Sequence, residues 1–399
     1  MTESVGTTID LFCGAGGLTE GFRQAGFRCL YASDFNEFAI ETFKSNHRDT
    51  WADCAAIETL DAARIRAKLG LAPGDLDVLV GGPPCQGFSI NAPERFLQDP
   101  RNALFREYVR FLDELQPRAF LLENVPGMLS LADGRLFRRI VREFEAREYF
   151  VSAKVLFAAH YGVPQKRWRL ILLGGRFGAL EHPYPTHMAS GRANFRGATT
   201  MTFEVSRHAG HLPPATTVGD ALQDLPRLEV GEGAEEMEYP APPWSQYQRE
   251  MRRGSSKVFN HCAARLSARN LERLRHIPPG GSWRDIPFEL LPAGMQRARR
   301  SDHTGRYGRL TWDGLAGTIM TKCDPHWGPV FLPDQDRALT VREAARLQSF
   351  PDRYRFAGPR VSQYEQVGNA VPVFLARAVA GAISEQFARR GRKARLRAA

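Results

Sequence analysis

Four consecutive residues, Gly81-Gly82-Pro83-Pro84, stop any strand or helix that runs into them. Proline has no N–H for a ladder, and glycine frees the backbone to turn. Before them stands Asp77-Val78-Leu79-Val80, an apolar run of buried-strand length. After them come Cys85-Gln86-Gly87-Phe88-Ser89. Cys85 is therefore expected on a rigid turn at a strand's end, the edge of an open parallel sheet where ligands bind. The plain alternative is a small cysteine packed beside a turn. A loop position speaks against it, because core packing has least use for a thiol there.

The chain ahead of this stop reads as a sheet of that kind. Residues 5–12 form a strand, Cys13-Gly14-Ala15-Gly16-Gly17 a turn, and Leu18, Phe22 and Ala25 recur at helical spacing. Strand, glycine turn and helix make the first unit of a nucleotide-binding α/β sheet. The glycine spacing is not the dinucleotide fingerprint, and no Walker lysine follows it. A second strand, 27–32, closes on Ser33-Asp34-Phe35, where a carboxylate would hold a ribose diol or cap the next helix. Asp53 sits in a loop after a third, short strand.

Beyond Cys85, residues 91–101 are polar and irregular, suited to closing over a substrate. Residues 104–115 are helical, and 118–122 form a strand ending in Glu123-Asn124-Val125-Pro126-Gly127. Glu123 is either a cap or a functional carboxylate at the sheet's active edge. A helix over 136–148 and a strand over 151–157 precede Gln165-Lys166-Arg167-Trp168-Arg169 and a strand over 170–174. Read as extended chain, Gln165, Arg167 and Arg169 share one face, a fork for a base edge or a phosphate. A solvated basic strand is the alternative.

After Arg176 the alternation stops. Residues 177–339 are rich in Pro, Gly, His and Arg, and the acidic, proline-rich 229–243 reads as an exposed loop. Arg249, Arg252, Arg253 and Lys257 form one basic cluster; Arg297, Arg299, Arg300, Arg306 and Arg309 form another. Trp283, Tyr307, Trp312 and Trp327 are interleaved, which suits a nucleic-acid-facing domain whose small core uses some of those rings. Helical periodicity returns at 340–349, and a helix over 374–386 is expected to pack back on the sheet. The formal charge is +10, yet residues 389–397 carry six of the positive charges, so charge alone says little about the rest. The six cysteines form no Cys-x-x-Cys pair, which argues against a zinc site or a disulfide framework. No apolar run reads as membrane-spanning and no signal pattern opens the chain, so a cytoplasmic protein is expected.

Six segments together resemble the cytosine-5 DNA methyltransferase family of the bacterial type. Asp10-Leu11-Phe12-Cys13-Gly14-Ala15-Gly16-Gly17 resembles its first cofactor motif, and Gly82-Pro83-Pro84-Cys85-Gln86 its nucleophile motif. Glu123-Asn124-Val125 resembles its catalytic acid motif and Gln165-Lys166-Arg167-Trp168-Arg169 its arginine motif. Arg342-Glu343-Ala344-Ala345-Arg346-Leu347-Gln348 and Gln366-Val367-Gly368-Asn369 resemble its closing motifs. The resemblance covers 7–176 and 340–380, in the family's order. It implies an α/β fold: a Rossmann-like mixed, mostly parallel sheet with helices on both faces, plus a smaller irregular target-recognition domain. The catalytic domain would be 1–176, the recognition domain 177–339, the return 340–388, and 389–399 a disordered basic tail.

The resemblance implies S-adenosylmethionine as cofactor. Its pocket would be formed by Phe12, Gly14, Ala15, Gly17, Asp34, Phe35, Asp53, Pro84, Leu104, Asn369 and Val371, with Asp34 on the ribose and Asp53 on the adenine amine. Asp34 stands where the family often has Glu, and Ala52-Asp53-Cys54 where it commonly has Gly-Asp-Ile; both departures keep a carboxylate. Cys85 would attack cytosine at ring carbon 6 and make carbon 5 nucleophilic. Glu123, carrying or sharing a proton, would meet charge developing toward ring N3. Arg169, helped by Arg167, would hold the base's carbonyl oxygen. The base must leave the duplex to be reached. Gln86, Ser89, Arg101 and Gln165 are the expected substrate contacts, and 86–101 the lid.

The implied partner is double-stranded DNA, with a cognate restriction endonuclease acting separately; a monomer is expected, with no metal and no membrane. The tRNA-methylating branch of the family is the first alternative, against which the long variable segment speaks. A catalytically idle DNA-binding relative is the second, against which the intact Cys85, Glu123 and Arg169 set speaks.

Overall fold

The computed structural model describes residues 4–83, 103–193, 201–203, 211–299, 305–322 and 328–398. Strands and helices alternate through the first half: β1 (Gly6–Leu11), α1 (Gly17–Gln24), β2 (Phe27–Asp34), α2 (Glu37–Asn46), β3 (Trp51–Cys54), α3 (Ala62–Lys68), β4 (Val78–Gly81), α4 (Ala103–Leu115), β5 (Ala119–Asn124), α5 (Arg135–Glu145), β6 (Phe150–Phe157) and β7 (Trp168–Gly175). The seven strands form one sheet in the order β3-β2-β1-β4-β5-β7-β6. β1 to β5 pair in parallel, and β7 runs antiparallel between β5 and β6. The chain steps outward from β1 to β3, then returns to β4 on β1's other side. That reversal opens a ligand crevice at the carboxyl ends of β1 and β4.

Alternation along β1 explains why helices cover both faces. Ile9 and Leu11 point into an apolar core with Leu79, Phe120 and Leu122, roofed by α3, α4 and α5 through Ile65, Phe111 and Ile140. Asp10 points the other way and accepts a 2.6 Å hydrogen bond from Thr19 of α1.

Two compact units divide the chain: Met1–Tyr161, Trp168–Leu212 and Val373–Ala399 form the first, and Gly162–Arg167 with Pro213–Pro372 the second. The division differs from the one composition suggests. Residues 177–212, including the pair β8 (Gly191–Ala193) and β9 (Met201–Phe203), stay with the large sheet. The second unit is built from short pieces: α6 (Val218–Leu222), β10 (Gly233–Glu238), α7 (Gln246–Met251), β11 (Lys257–Cys262), α8 (Ala268–Arg275), α9 (Ala293–Gln296), β12 (Gly308–Arg309), β13 (Pro329–Phe331), α10 (Val341–Leu347) and α11 (Arg360–Asn369). α10 belongs here because Arg346 lies buried between Asp224 and Asp352. Trp283 and Tyr307 are buried in this unit's small core, while Trp327 and Arg300 lie outside the described residues.

Three details correct the sequence reading. Residues 233–238 are not a loop but a strand paired with β11, mostly exposed; backbone pairing needs no apolar side chains. The basic clusters lose members to ion pairs: Arg252 with Asp224, Lys257 with Glu236, and buried Arg309 with Asp336. The tail is helical rather than disordered. α12 (Val373–Ala398) packs on α1 and runs without a break to its last residue, in an Ala- and Arg-rich sequence that favours helix. The helical stretch Arg360–Arg390 is also long and apolar enough, by length and composition, to cross a bilayer, although it is mostly buried inside the protein.

Candidate functional site

Parallel pairing sets Gly81 of β4 opposite Leu122 of β5. The turn leaving β4 therefore lies beside Glu123 and Asn124. Asn124 Nδ2 donates to the Pro83 carbonyl at 3.2 Å. Gly82 leaves room for Glu123: a Cβ there would stand 3.0 Å from Glu123 Oε2, and the carboxylate would have to give way. Gly82 and Asn124 stand inside the quoted motifs but were assigned no role there; their contacts follow from the strand register. Cys85, Pro84, Gln86, Ser89 and Arg101 lie outside the described residues.

The antiparallel β7 sets Ile171 opposite Glu123, so Arg169, two residues back, shares Glu123's face. Arg169 Nε stands 2.6 Å from Glu123 Oε1, with both side chains near one-eighth exposed. Its Nη1 donates to the Trp168 carbonyl at 2.9 Å. The two opposite charges thus meet in close contact at the edge where β4 and β5 end. Burial pulls the Arg169 pKa down, and Glu123 opposes that fall.

Gln165 and Arg167 do not share this face, which corrects the expected three-residue fork. β7 begins only at Trp168, so the two-residue alternation does not extend back to them. Both are fully buried in the second unit. Arg167 donates to the carbonyls of Ile319, Gly368 and Ala370 at 3.1, 2.7 and 3.0 Å. Gln165 donates to Leu347 O and accepts from Ile319 N, each at 2.9 Å. Their polar groups tie the closing segments of that unit together.

At the ends of β1 and β2, the chain makes a second pocket. Phe12 takes a left-handed backbone, φ 60°, and Gly14 follows at φ 52° with open space above its α-carbon. Asp34 Oδ2 accepts from Gly14 N and Oδ1 from Asn36 N, each at 2.9 Å. Burial raises the Asp34 pKa, and those two N–H groups moderate the rise. The helix cap is Asn36, whose side chain accepts from Ala39 N, so Asp34 is not needed for that task. A cavity of about 210 Å³ is lined by Phe12, Asp34, Phe35 and Leu104. Ser33, Ile57 and Glu58 also line it and escaped the sequence reading, since no motif marks them. Asp53 stands next along, its carboxylate held by Tyr31 Oη at 3.2 Å and Trp51 Nε1 at 3.0 Å. Ala15 and Gly17 are buried at the start of α1. Asn369 and Val371 lie in the second unit, at and just beyond the end of α11. A larger cavity, about 790 Å³, lies among α3, α4 and α5. There Arg147 is already held by Asp113 and Glu143.

The fold and its strand-end carboxylates define a class of protein, and comparison with known proteins agrees. The solved structure of a protein encoded within an E. coli prophage, described as a DNA modification methyltransferase, aligns over 96% of this chain and 99% of its own. The TM-score is 0.71 at 24% identity, a shared fold. The sequence profile of C-5 cytosine-specific DNA methylase matches residues 6–385. The Type II methyltransferase M.AgeI of Thalassovita gelatinovora is 38% identical, over 94% of this chain and 98% of its own length. M.DdeI of Desulfomicrobium norvegicum is 34% identical, over 95% and 88%. The chain belongs to the C-5 cytosine-specific DNA methylase family, enzymes that methylate cytosine in DNA at ring carbon 5.

Proposed function

We propose that this chain transfers a methyl group from S-adenosylmethionine to carbon 5 of a cytosine flipped out of a specific duplex sequence, through a covalent bond from Cys85 to ring carbon 6. The observation that carries the reading is the Glu123–Arg169 pair beside the turn that leads to Cys85. The pocket residues fit the donor. Phe12, Phe35 and Leu104 offer apolar walls, Gly14 leaves room for close approach, and the carboxylates of Asp34 in the cavity and Asp53 on the neighbouring strand would accept from hydroxyl and amine groups. Bound there, the donor supplies an electrophilic sulfonium methyl.

The chain's own residues do the rest. The Cys85 thiolate attacks carbon 6. Glu123 brings a proton to ring N3 as charge develops there. Arg169 turns from its ion pair with Glu123 to the base's carbonyl oxygen, which frees the carboxyl group for N3. After transfer the carbon 5 proton leaves to water, the thiolate is expelled, and N3 returns its proton to Glu123, which restores the neutral ring. Asp34 acts on the ribose and Asp53 on the adenine amine. Gln165 and Arg167 act indirectly, through the segments they hold. The second unit reads the target in the major groove while phosphate contacts supply affinity. We infer a cytoplasmic monomer that acts as the modification partner of a separately acting restriction endonuclease; similarity to Type II methyltransferases supports the modification role.

Duplex DNA carrying 5-fluorocytosine at the target should trap a covalent adduct in the presence of S-adenosylmethionine, and Cys85→Ala should abolish it. An adduct that persists would mean another nucleophile. Sequencing of methylated DNA from a methylation-free host expressing the chain would supply the target. Methylation of tRNA alone would overturn the DNA reading.

A further inference from the structure

We propose that Tyr31 and Trp51 are positioning residues: they hold the Asp53 carboxylate as a fixed acceptor, and so make the cofactor pocket choose a 6-aminopurine over a 6-oxopurine. The proposal rests on the S-adenosylmethionine reading above and names what sets its selectivity for the base.

Parallel register places Tyr31 beside Trp51 and Ser33 beside Asp53. Residues two apart on a strand share a face, so all four side chains stand on one side of the sheet. Ser33 lines the cavity of about 210 Å³, and so does Ala55, two residues beyond Asp53. Asp53 therefore stands at the margin of that cavity.

Two different donors meet its two oxygens. Tyr31 Oη donates to Oδ2 at 3.2 Å and Trp51 Nε1 to Oδ1 at 3.0 Å. Both rings are themselves held. Tyr31 is fully buried, and it meets the Trp51 ring edge-on, with centroids 4.8 Å apart. The Lys68 ammonium lies 3.7 Å from the centre of the Trp51 ring, a cation–π contact. Burial, followed by the Asp53 charge, holds the Tyr31 phenol above its ordinary range, so Tyr31 stays a donor. An indole N–H can only donate. The carboxylate is thus held from two sides.

A carboxylate offers acceptors only, and each oxygen can accept more than one hydrogen bond. An amino group at purine carbon 6 satisfies it. A carbonyl oxygen there would meet it acceptor to acceptor. Holding the carboxylate sharpens that contrast, because an unheld one would swing into water and avoid the carbonyl. A packing role for the two rings would treat both bases alike.

The test measures binding of S-adenosylhomocysteine and of its 6-oxo counterpart, S-inosylhomocysteine, to the full chain by calorimetry. The wild type should favour the adenosyl compound about 10- to 150-fold, the usual worth of a hydrogen bond to a charged group. Tyr31→Phe and Trp51→Phe should each cut that ratio about three- to tenfold, by weakening the adenosyl compound and not the inosyl one. Trp51 is partly exposed, so Trp51→Phe carries the test if burial makes Tyr31→Phe unstable. Asp53→Asn should remove the preference. There the indole N–H keeps the amide oxygen toward itself, and the amide nitrogen can donate to a 6-oxo group. An unchanged ratio in the ring variants overturns the proposal. An equal loss for the two compounds also overturns it, and would mark both rings as packing only. So does an unchanged ratio in Asp53→Asn. If neither compound binds the wild type, the cofactor reading itself fails and the proposal falls with it.

Discussion

The Glu123 carboxylate and the Arg169 guanidinium meet at 2.6 Å, reached from antiparallel strands β5 and β7. Each is the other's counter-ion, and in the proposed mechanism both turn toward a base. Glu123→Gln keeps the shape and removes the exchangeable proton. Single-turnover methyl transfer should fall about 10²- to 10⁴-fold, the usual worth of a general acid, while duplex affinity changes little. A loss smaller than tenfold would remove Glu123 from the proton path.

Gly82→Ala tests the space beside that carboxylate. Its Cβ would lie 3.0 Å from Glu123 Oε2, so the carboxyl group must move by a few tenths of an ångström. Misplacement on that scale should slow methyl transfer about tenfold or more. Gly82 is not among the residues with positive φ, so folding should survive. Unchanged rates with an unchanged melting curve would show that Glu123 need not be held closely.

The first unit should lose stability as pH rises. Burial pushes the Asp10 pKa up to about 7, with only Thr19's hydrogen bond opposing that strongly. Between the unfolded value near 4 and about 7, the folded chain holds a proton that the unfolded chain releases, so stability falls across that window. The loss is on the order of 4 kcal/mol. His182, held down to about 4 by burial, works in the opposite direction. The comparison is therefore wild type against Asp10→Asn, which keeps an acceptor for Thr19 and cannot ionise. The variant should gain stability relative to wild type from pH 5 to pH 8. Parallel curves would show that Asp10 does not titrate there.

The second unit should respond to acid. Burial would raise the Glu343 pKa, but the Arg337 guanidinium, 2.8 Å away, brings it down to about 2. Asp352 is lowered as well, because Arg346 at 2.7 Å outweighs its burial. Stability from these groups is present above about pH 4 and is lost as pH falls through the folded values. Asp352→Ala leaves the buried Arg346 with one of its two carboxylate partners and should cost about 3–5 kcal/mol. Chemical denaturation followed through the second unit's tryptophans would measure it. A cost under 1 kcal/mol would mean that water reaches Arg346.

Much of the sheet was legible in the sequence. Each of β1, β2, β4, β5 and β7 is an apolar run cut off by glycine, proline or a polar turn, so hydrophobic pattern and stop signals agree. The positions of Asp34 and Glu123 at strand ends followed from the same reading. The Glu123–Arg169 pairing did not, because it depends on β7 running antiparallel to β5. Gln165 and Arg167 were misread because alternation was extended across the start of a strand. The unit boundary was missed because Asp224 and Arg346, which join its parts, stand 122 residues apart. β10 was missed because its side chains are acidic and its partners are backbone groups.

A methyl group on Gly21 would overlap Ala376 and come within 2.7 Å of the Val373 carbonyl. α1 and α12 therefore touch backbone to backbone, although they lie near opposite ends of the sequence. On a translating ribosome the sheet is made early and waits for its last helix. Synthesis of the roughly 160 residues between Leu212 and Val373 takes about 8–32 s at ordinary elongation rates. Throughout that interval the face of α1 that α12 will cover stays open on the nascent chain. Chaperones, or premature release, would act on that face first.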